Sequence, residues 1–282
     1  MSDYIHQVGE FSSPDGVKLF NQIWKKDQPK GILIICHGLG DHSSRYAHLL
    51  NAIQDADLSV YALDHRGHGR SGGKKGHIMS FDEYVDDFNI LIKKAREENP
   101  DLPLIILGHS LGGVIAFKYI LKYGQDFQGL ILSSAGFRNT VEVAPLKAKA
   151  ALFLSRALPA LTLSSGLDSN MLSHDKSVVE AYIKDPLVHD RVSSRWYTEF
   201  TAAGQECLER AAELTLPLLV IHGKADGIVD YRGSEEVMQK ASSQNKELYI
   251  FENLYHETMN ENASEREKVL AIIKEWIVKL IA

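Results

Sequence analysis

Residues 102–117 read LPLIILGHSLGGVIAF. Leu104–Leu107 is a short apolar run after a proline, the mark of a buried strand. Beyond it Leu111, Ile115 and Tyr119, with Val114, Ile120 and Leu121 beside them, recur at helical spacing. Strand passes to helix with almost no linker, so the turn must be sharp, with a strained residue at its centre and small neighbours. GHSLG, residues 108–112, has that form: a G-x-S-x-G nucleophile elbow, which lifts a serine hydroxyl above the end of a sheet. A second match, GRSGG at 69–73, lies in the polar loop DHRGHGRSGGKKGH, with no strand running into it and no helix starting on it. Ser110 is therefore the candidate nucleophile, and Ser71 reads as a loop residue.

The same strand-to-helix rhythm extends in both directions from this turn. VKLFNQIWKK (17–26) alternates like a strand; GILIICHG (31–38), LSVYALD (58–64), FQGLILSSA (127–135), LPLLVIHGKAD (216–226) and KELYIFEN (246–253) carry buried-strand runs. Helical patterns fall at SRYAHLLNAIQDA (44–56), from about Gly233, and at SEREKVLAIIKEWIVKL (264–280). SFDEYVDDFNILIKKAREENP (80–100) opens with Ser80 three residues before Glu83, a capping-box pattern, carries acids early and bases late, and stops at Pro100. From about Arg138 to Ala212 the rhythm disappears and the chain reads as helices and loops. Alternating strands and helices imply a mostly parallel sheet covered on both faces. The expected division is a core of residues 1–137 and 213–282 with a helical cap inserted at 138–212. Ligands should gather at the carboxyl ends of the strands, where His37, Asp64, Ser110, Asp226 and His256 all fall.

Composition narrows the function classes. A chain of 282 residues with 44% hydrophobic content can bury a sizeable core. The net charge of −6 is spread along the chain, and nothing points to nucleic acid. Two cysteines, Cys36 and Cys207, are too few for a disulfide framework and read as buried thiols in a reducing compartment, so a cytoplasmic location is expected. The start MSDYIHQVGEFSSPDG lacks the basic lead and apolar core of a signal peptide, and no apolar run approaches the roughly 18 residues of a membrane span.

A serine hydroxyl needs a base to take its proton, and the base needs a carboxylate to orient it. Around a nucleophile elbow these follow in the order serine, acid, histidine. Of the 12 histidines only His174, His189, His222 and His256 come after Ser110. The first two lie in the insertion and His222 lies inside a strand, which leaves His256, in the loop NLYHETMN, as the candidate base. Asp226 closes the preceding strand segment and is the candidate acid; Asp230, four residues on, is its rival. The oxyanion hole should combine the amide of Leu111 with one from the loop HGLGD, that of Leu39. His37 is expected to brace that loop. His65, His68 and His77 raise a metal reading, but no H-E-x-x-H or second cluster accompanies them, so neither metal nor cofactor is expected.

Taken together, HGLGDHSSRY, LDHRGHGRSGG, LGHSLGG, LPLLVIHGKAD and NLYHE resemble the monoglyceride lipases of the α/β-hydrolase superfamily, a group that also holds lysophospholipases and serine-aminopeptidase-like hydrolases. The resemblance runs from about Ser13 to the last helix and includes the insertion, where LTLSSGLDSNMLSHDKSVVEAYIKDPL looks like the family's cap. It implies the α/β-hydrolase fold, Ser110, Asp226 and His256 as the triad, and Leu39 and Leu111 as oxyanion donors. It also puts the polar site for a glycerol head at Asp41 and Arg45. Some members place a histidine shortly after the base; this chain has Met259 there.

In the insertion, PLKAKAALFLSRALPALTL (145–163) has Leu146, Ala150, Leu154 and Leu158 in an i, i+4 stripe, with Lys149 and Arg156 opposite. Pro159 should end or kink the helix. The stripe either packs the cap onto the core or lines an acyl channel and meets lipid, which marks Leu154 and Leu158 as candidate substrate contacts and the cap as a candidate peripheral membrane contact. The expected activity is hydrolysis of a monoacylglycerol ester. A lysophospholipase or broad carboxylesterase is the alternative, followed by an aminopeptidase and a non-catalytic binding protein on the same fold.

Overall fold

A computed structural model describes residues 4–138, 140 and 145–281, with side chains from residue 151 onward in the helix that begins at Pro145. In chain order the strands are β1 (Ile5–Ser12), β2 (Lys18–Lys25), β3 (Gly31–Cys36), β4 (Leu58–Leu63), β5 (Leu104–His109), β6 (Gly129–Ser133), β7 (Thr162–Ser164), β8 (Arg191–Ser193), β9 (Leu218–Gly223) and β10 (Lys246–Phe251). The helices are α1 (Ala47–Ala52), α2 (Asp82–Glu98), α3 (Leu111–Tyr123), α4 (Pro145–Ala157), α5 (Lys176–Lys184), α6 (Ser194–Glu209), α7 (Arg232–Lys240) and α8 (Ala263–Ile281).

Eight strands form one sheet in the order β1-β2-β4-β3-β5-β6-β9-β10, and β2 alone runs against the others, paired antiparallel with both β1 and β4. Every residue of β3, β4, β5 and β9 is buried, so these strands read as unbroken apolar runs. Period-two alternation still divides them. Ile32, Ile34 and Cys36 join Phe88, Leu91, Val114, Phe117 and Val237 on one side, where α2, α3 and α7 lie. Leu33 and Ile35 join Leu49, Ile53, Ile273 and Trp276 from α1 and α8 on the other. The chain steps from β3 outward to β4 and then returns to the opposite flank of β3 as β5. The crevice at such a reversal is where open α/β sheets bind ligands, and Leu39 and Ser110 follow its two strands.

The mapped strands and helices match the sequence expectation, with three differences. β1 has no counterpart there: it is an edge strand exposed along almost its whole length, with Ile5 and Val8 more than half exposed, and so carries no burial alternation to read. The segment between β6 and β9 holds two short strands, β7 and β8, paired antiparallel, where only helices and loops were expected. α6, from the same segment, buries Trp196, Ala203, Cys207 and Leu208 in the core cluster that lies against α2 and α3. Half of the expected capping box at Ser80 forms: the Glu83 carboxylate accepts the Met79 and Ser80 amides at 3.0 and 3.2 Å, but the Ser80 hydroxyl accepts the Asp82 amide at 3.3 Å instead of that of Glu83.

Candidate active site

Ser110 sits between β5 and α3 at φ 53°, ψ −119°, a left-handed backbone that a non-glycine residue rarely adopts. Three backbone hydrogen bonds of 3.0 Å hold it there: its N–H donates to Ser133 O, and its carbonyl accepts from Gly113 and Gly136. The neighbouring glycines answer to close approach. A Cβ on Gly108 would lie 2.5 Å from the Gly112 carbonyl oxygen, and one on Gly112 would collide with the Cys36 carbonyl of β3. The turn packs this tightly because the elbow must fold back over the sheet end. The amides of Leu39 and Leu111 have no hydrogen-bond partner among the described residues.

His256 Nδ1 donates to Asp226 Oδ2 at 2.7 Å. Oδ1 of Asp226 accepts from the amides of Ile228 and Val229 at 2.8 and 3.0 Å. Burial alone would raise the Asp226 carboxyl, but the charge on His256 and the hydrogen bonds from His222 and His256 more than offset it and hold the group well below the usual carboxylate range. Burial likewise opposes charge on His256, yet Asp226 beside it leaves the ring above its ordinary value. Asp230 turns away: its carboxylate accepts from the Arg232 amide and guanidinium at 3.0 and 2.9 Å. Ser71 is spent on structure, donating to the Asp64 carbonyl and accepting the Phe20 amide.

His222 was set aside as a strand residue, and it proves to be a second donor on the same oxygen. Its Nε2 lies 3.1 Å from Asp226 Oδ2, and its Nδ1 lies 2.8 Å from Ser234 Oγ. The signal in sequence is only the His-x-x-x-Asp spacing, which bends the chain back once it leaves β9. His109 packs its ring 4.9 Å from that of His256, and burial together with His256 lowers it to about 4, so it stays neutral.

His37 does brace its loop, with Nδ1 donating to the Gly38 carbonyl at 2.8 Å and Nε2 accepting the His65 amide at 3.0 Å. Burial keeps His37, His65 and His68 well below the ordinary histidine value. His77 bonds Ser193 Oγ at 2.9 Å. Asp64 ties two loops, accepting the Ser43 and Arg70 amides at 2.8 Å each.

Asp41 and Arg45 come together at 3.0 Å, joined by Glu257, a residue the sequence did not single out. Glu257 accepts both ends of the Arg45 fork, at 2.8 and 2.9 Å. Two cavities meet at Ser110. One, of about 320 Å³, includes Asp41, Tyr182, Asp185, Glu257 and His256 in its lining. The other, of about 380 Å³, is walled by Leu111, Met171, Val192, Trp196, Phe200 and Val229. Leu154 and Leu158 line neither, which corrects their expected role as substrate contacts. Leu154 is half-buried and Leu158 is exposed, while Ser155 between them turns inward to Thr198 of α6 at 2.8 Å. Leu146 and Ala150 of the stripe lie outside the described side chains.

The model of the family described as serine aminopeptidase, S33, matches residues 27–263. The chain belongs to this family. Among S33 relatives, a monoacylglycerol lipase of Mycolicibacterium smegmatis is 37% identical over 270 residues, 95% of each chain. A phospholipase of Bacillus subtilis is 34% identical over 248 residues, covering 87% of this chain and 94% of its own. The solved monoacylglycerol lipase of Paleococcus ferrophilus superposes with a TM-score of 0.82 at 30% identity, over 98% of this chain and 99% of that one. The chain thus carries the α/β-hydrolase fold that the resemblance implied.

Proposed function

We propose that the protein is a serine hydrolase that cleaves monoacylglycerols to glycerol and a fatty acid. The observation that carries this reading is the position of Ser110 at the junction of two cavities, one that holds the carboxylates Asp41, Asp185 and Glu257 and one walled by Met171, Val192, Trp196 and Phe200. A monoacylglycerol has that division: one apolar chain and one small polyol on either side of an ester. In the proposed reaction His256 takes the Ser110 proton as Oγ attacks the carbonyl, and the Leu39 and Leu111 amides receive the oxyanion. His256 then returns the proton to the leaving glycerol oxygen. Water, deprotonated by His256, attacks the acyl-enzyme; the Ser110–acyl bond then breaks, His256 returns that proton to the Ser110 oxygen, and the fatty acid leaves. Asp226 holds the ring and balances its transient charge.

The relatives include both a monoacylglycerol lipase and a phospholipase, so the second reading is a lysophospholipase. We treat 138–212 as a cap that also meets lipid. Leu152, Phe153, Leu158, Leu161 and Leu163 are exposed from α4 through the connection into β7, and Leu167 and Ile183 are exposed where they line the carboxylate-bearing cavity. No helix among the described residues is long and apolar enough to cross a membrane, so such contact would be peripheral.

The deciding experiment pairs fluorophosphonate labelling with turnover of a monoacylglycerol. Ser110→Ala should abolish labelling and lower turnover by several orders of magnitude, while Ser71→Ala keeps the labelling. Labelling that survives Ser110→Ala, or a folded wild-type protein that never labels, would sink the assignment.

A further inference from the structure

The cavity that holds Asp41 and Glu257 is lined by five carboxylates, Asp41, Asp168, Asp185, Asp190 and Glu257, and by no lysine or arginine among the described residues. Arg45, the ion-pair partner of Asp41 and Glu257, is not among its lining residues. Both ends of its fork are taken by Glu257, one end also reaches Asp41, and its plane lies over the Tyr182 ring at 4.7 Å from the centroid. Its side chain is only 12% exposed. Asn260 donates to Glu257 Oε2 at 2.9 Å and fixes that carboxylate from its far side. The cavity next to Ser110 therefore meets a ligand with carboxylate oxygens, which accept hydrogen bonds from hydroxyls. The guanidinium, which would grip a phosphate, faces its own partners.

Resting on the ester-hydrolase reading above, we propose that this end of the cavity selects uncharged polyol esters against phosphate-bearing lysolipids, and that Glu257 sets the selectivity by locking Arg45. A glycerol head donates its hydroxyls to Asp41 and Glu257. A phosphate monoester brings negative charge into a pocket of the same sign and finds Arg45, the cation paired with Asp41 and Glu257, already saturated. Glu257 is a specificity-determining residue in this account because it both adds a negative charge and occupies both arms of Arg45. The substitution Glu257→Gln removes the charge and weakens the hold.

The test compares two substrates with the same octanoyl chain, soluble as monomers: monooctanoylglycerol and octanoyl lysophosphatidate. A nitrophenyl octanoate serves as a headless control. The wild-type kcat/KM for the glycerol ester should exceed that for the phosphate ester by about 100-fold or more at low salt. Raising salt from about 20 mM to about 500 mM should narrow the gap by lifting only the phosphate ester, since screening weakens the repulsion. Glu257→Gln, with a melting curve to establish folding, should narrow the gap about tenfold while nitrophenyl octanoate changes much less. A purely structural Glu257 would change both head groups together. A wild-type ratio near one, or a gap indifferent to salt, overturns the proposal, and so does a folded Glu257→Gln with an unchanged ratio. If that variant does not fold, the wild-type salt series decides. Failure to cleave any of the three esters, nitrophenyl octanoate included, would instead reject the hydrolase reading and this proposal with it.

Discussion

Asp226 accepts four hydrogen bonds, two amides on Oδ1 and two imidazoles on Oδ2. A buried carboxylate so supplied stays ionised through the working range, and its charge favours the protonated form of His256. The catalytic form of His256 is the neutral one. Its value lies above the ordinary 6.5, so kcat/KM should fall as pH drops, with a midpoint above 6.5. Asp226→Asn removes the largest of the charges that favour imidazolium and leaves only Glu257 and Asp41 against burial, so the limb should move to lower pH while kcat falls by a factor on the order of 10⁴. Asp230→Asn should leave both the limb and kcat within about twofold, because Asp230 bonds Arg232 rather than His256. A pH–rate profile of the three proteins checks this; a limb below 6.5 in the wild type, or a larger loss at 230, would reassign the acid. At this scale the pairing of Asp226 with His256 was legible because chain order and strand ends leave few candidates. Glu257 and His222 were not. Glu257 acquires its meaning from Arg45, 212 positions away, and no local pattern encodes that pairing.

Elements divide in the same way. Strands buried on both faces announce themselves as apolar runs, and each was readable from composition alone. β1 and the β7–β8 pair were not, since exposed edge strands and three-residue strands leave no alternation. For α4 the i, i+4 stripe pointed to Leu154 and Leu158, but Leu154 is half-buried and Leu158 lies just past the helix end at Ala157, while the exposed apolar side chains described within the helix are Leu152 and Phe153, at 54% and 70%. The helix turns Ser155 toward α6 instead, and its hydroxyl finds Thr198. The lipid-facing proposal therefore moves to Leu152 and Phe153. Leu152→Ser with Phe153→Ser should reduce binding to phospholipid vesicles at least about tenfold, since two large apolar side chains contribute roughly 1.5–3 kcal/mol each when fully buried. Melting temperature and turnover of a soluble nitrophenyl acetate should hardly change, because both residues are already in solvent. Vesicle flotation beside a melting curve makes the comparison; binding that survives the double change would remove α4 as the contact.

For the molecule as a whole, the reversal of strand order at β3 opens the crevice, the elbow puts Ser110 at its mouth, and the segment between β6 and β9 supplies much of the apolar wall. Met171, Val192, Trp196 and Phe200 all come from that segment. If this cavity takes the acyl chain, specificity should climb with chain length until the cavity is full. Each buried methylene contributes roughly 0.8 kcal/mol, or about fourfold in kcat/KM. The quantity to measure is the slope of log kcat/KM against acyl carbon number in a series of monoacylglycerols kept monomeric. Met171→Asn with Val192→Asn introduces two amides into the apolar wall, which a hydrocarbon chain cannot hydrogen-bond. The slope should flatten, with the longest soluble chain losing far more than the shortest. Leu154→Ser serves as the contrast: it lies outside the cavity, so it should lower thermal stability, if anything, and leave the slope unchanged. The outcome that defeats the assignment is an unaltered slope in a folded Met171→Asn, Val192→Asn protein, because chain length would then be read somewhere other than this wall.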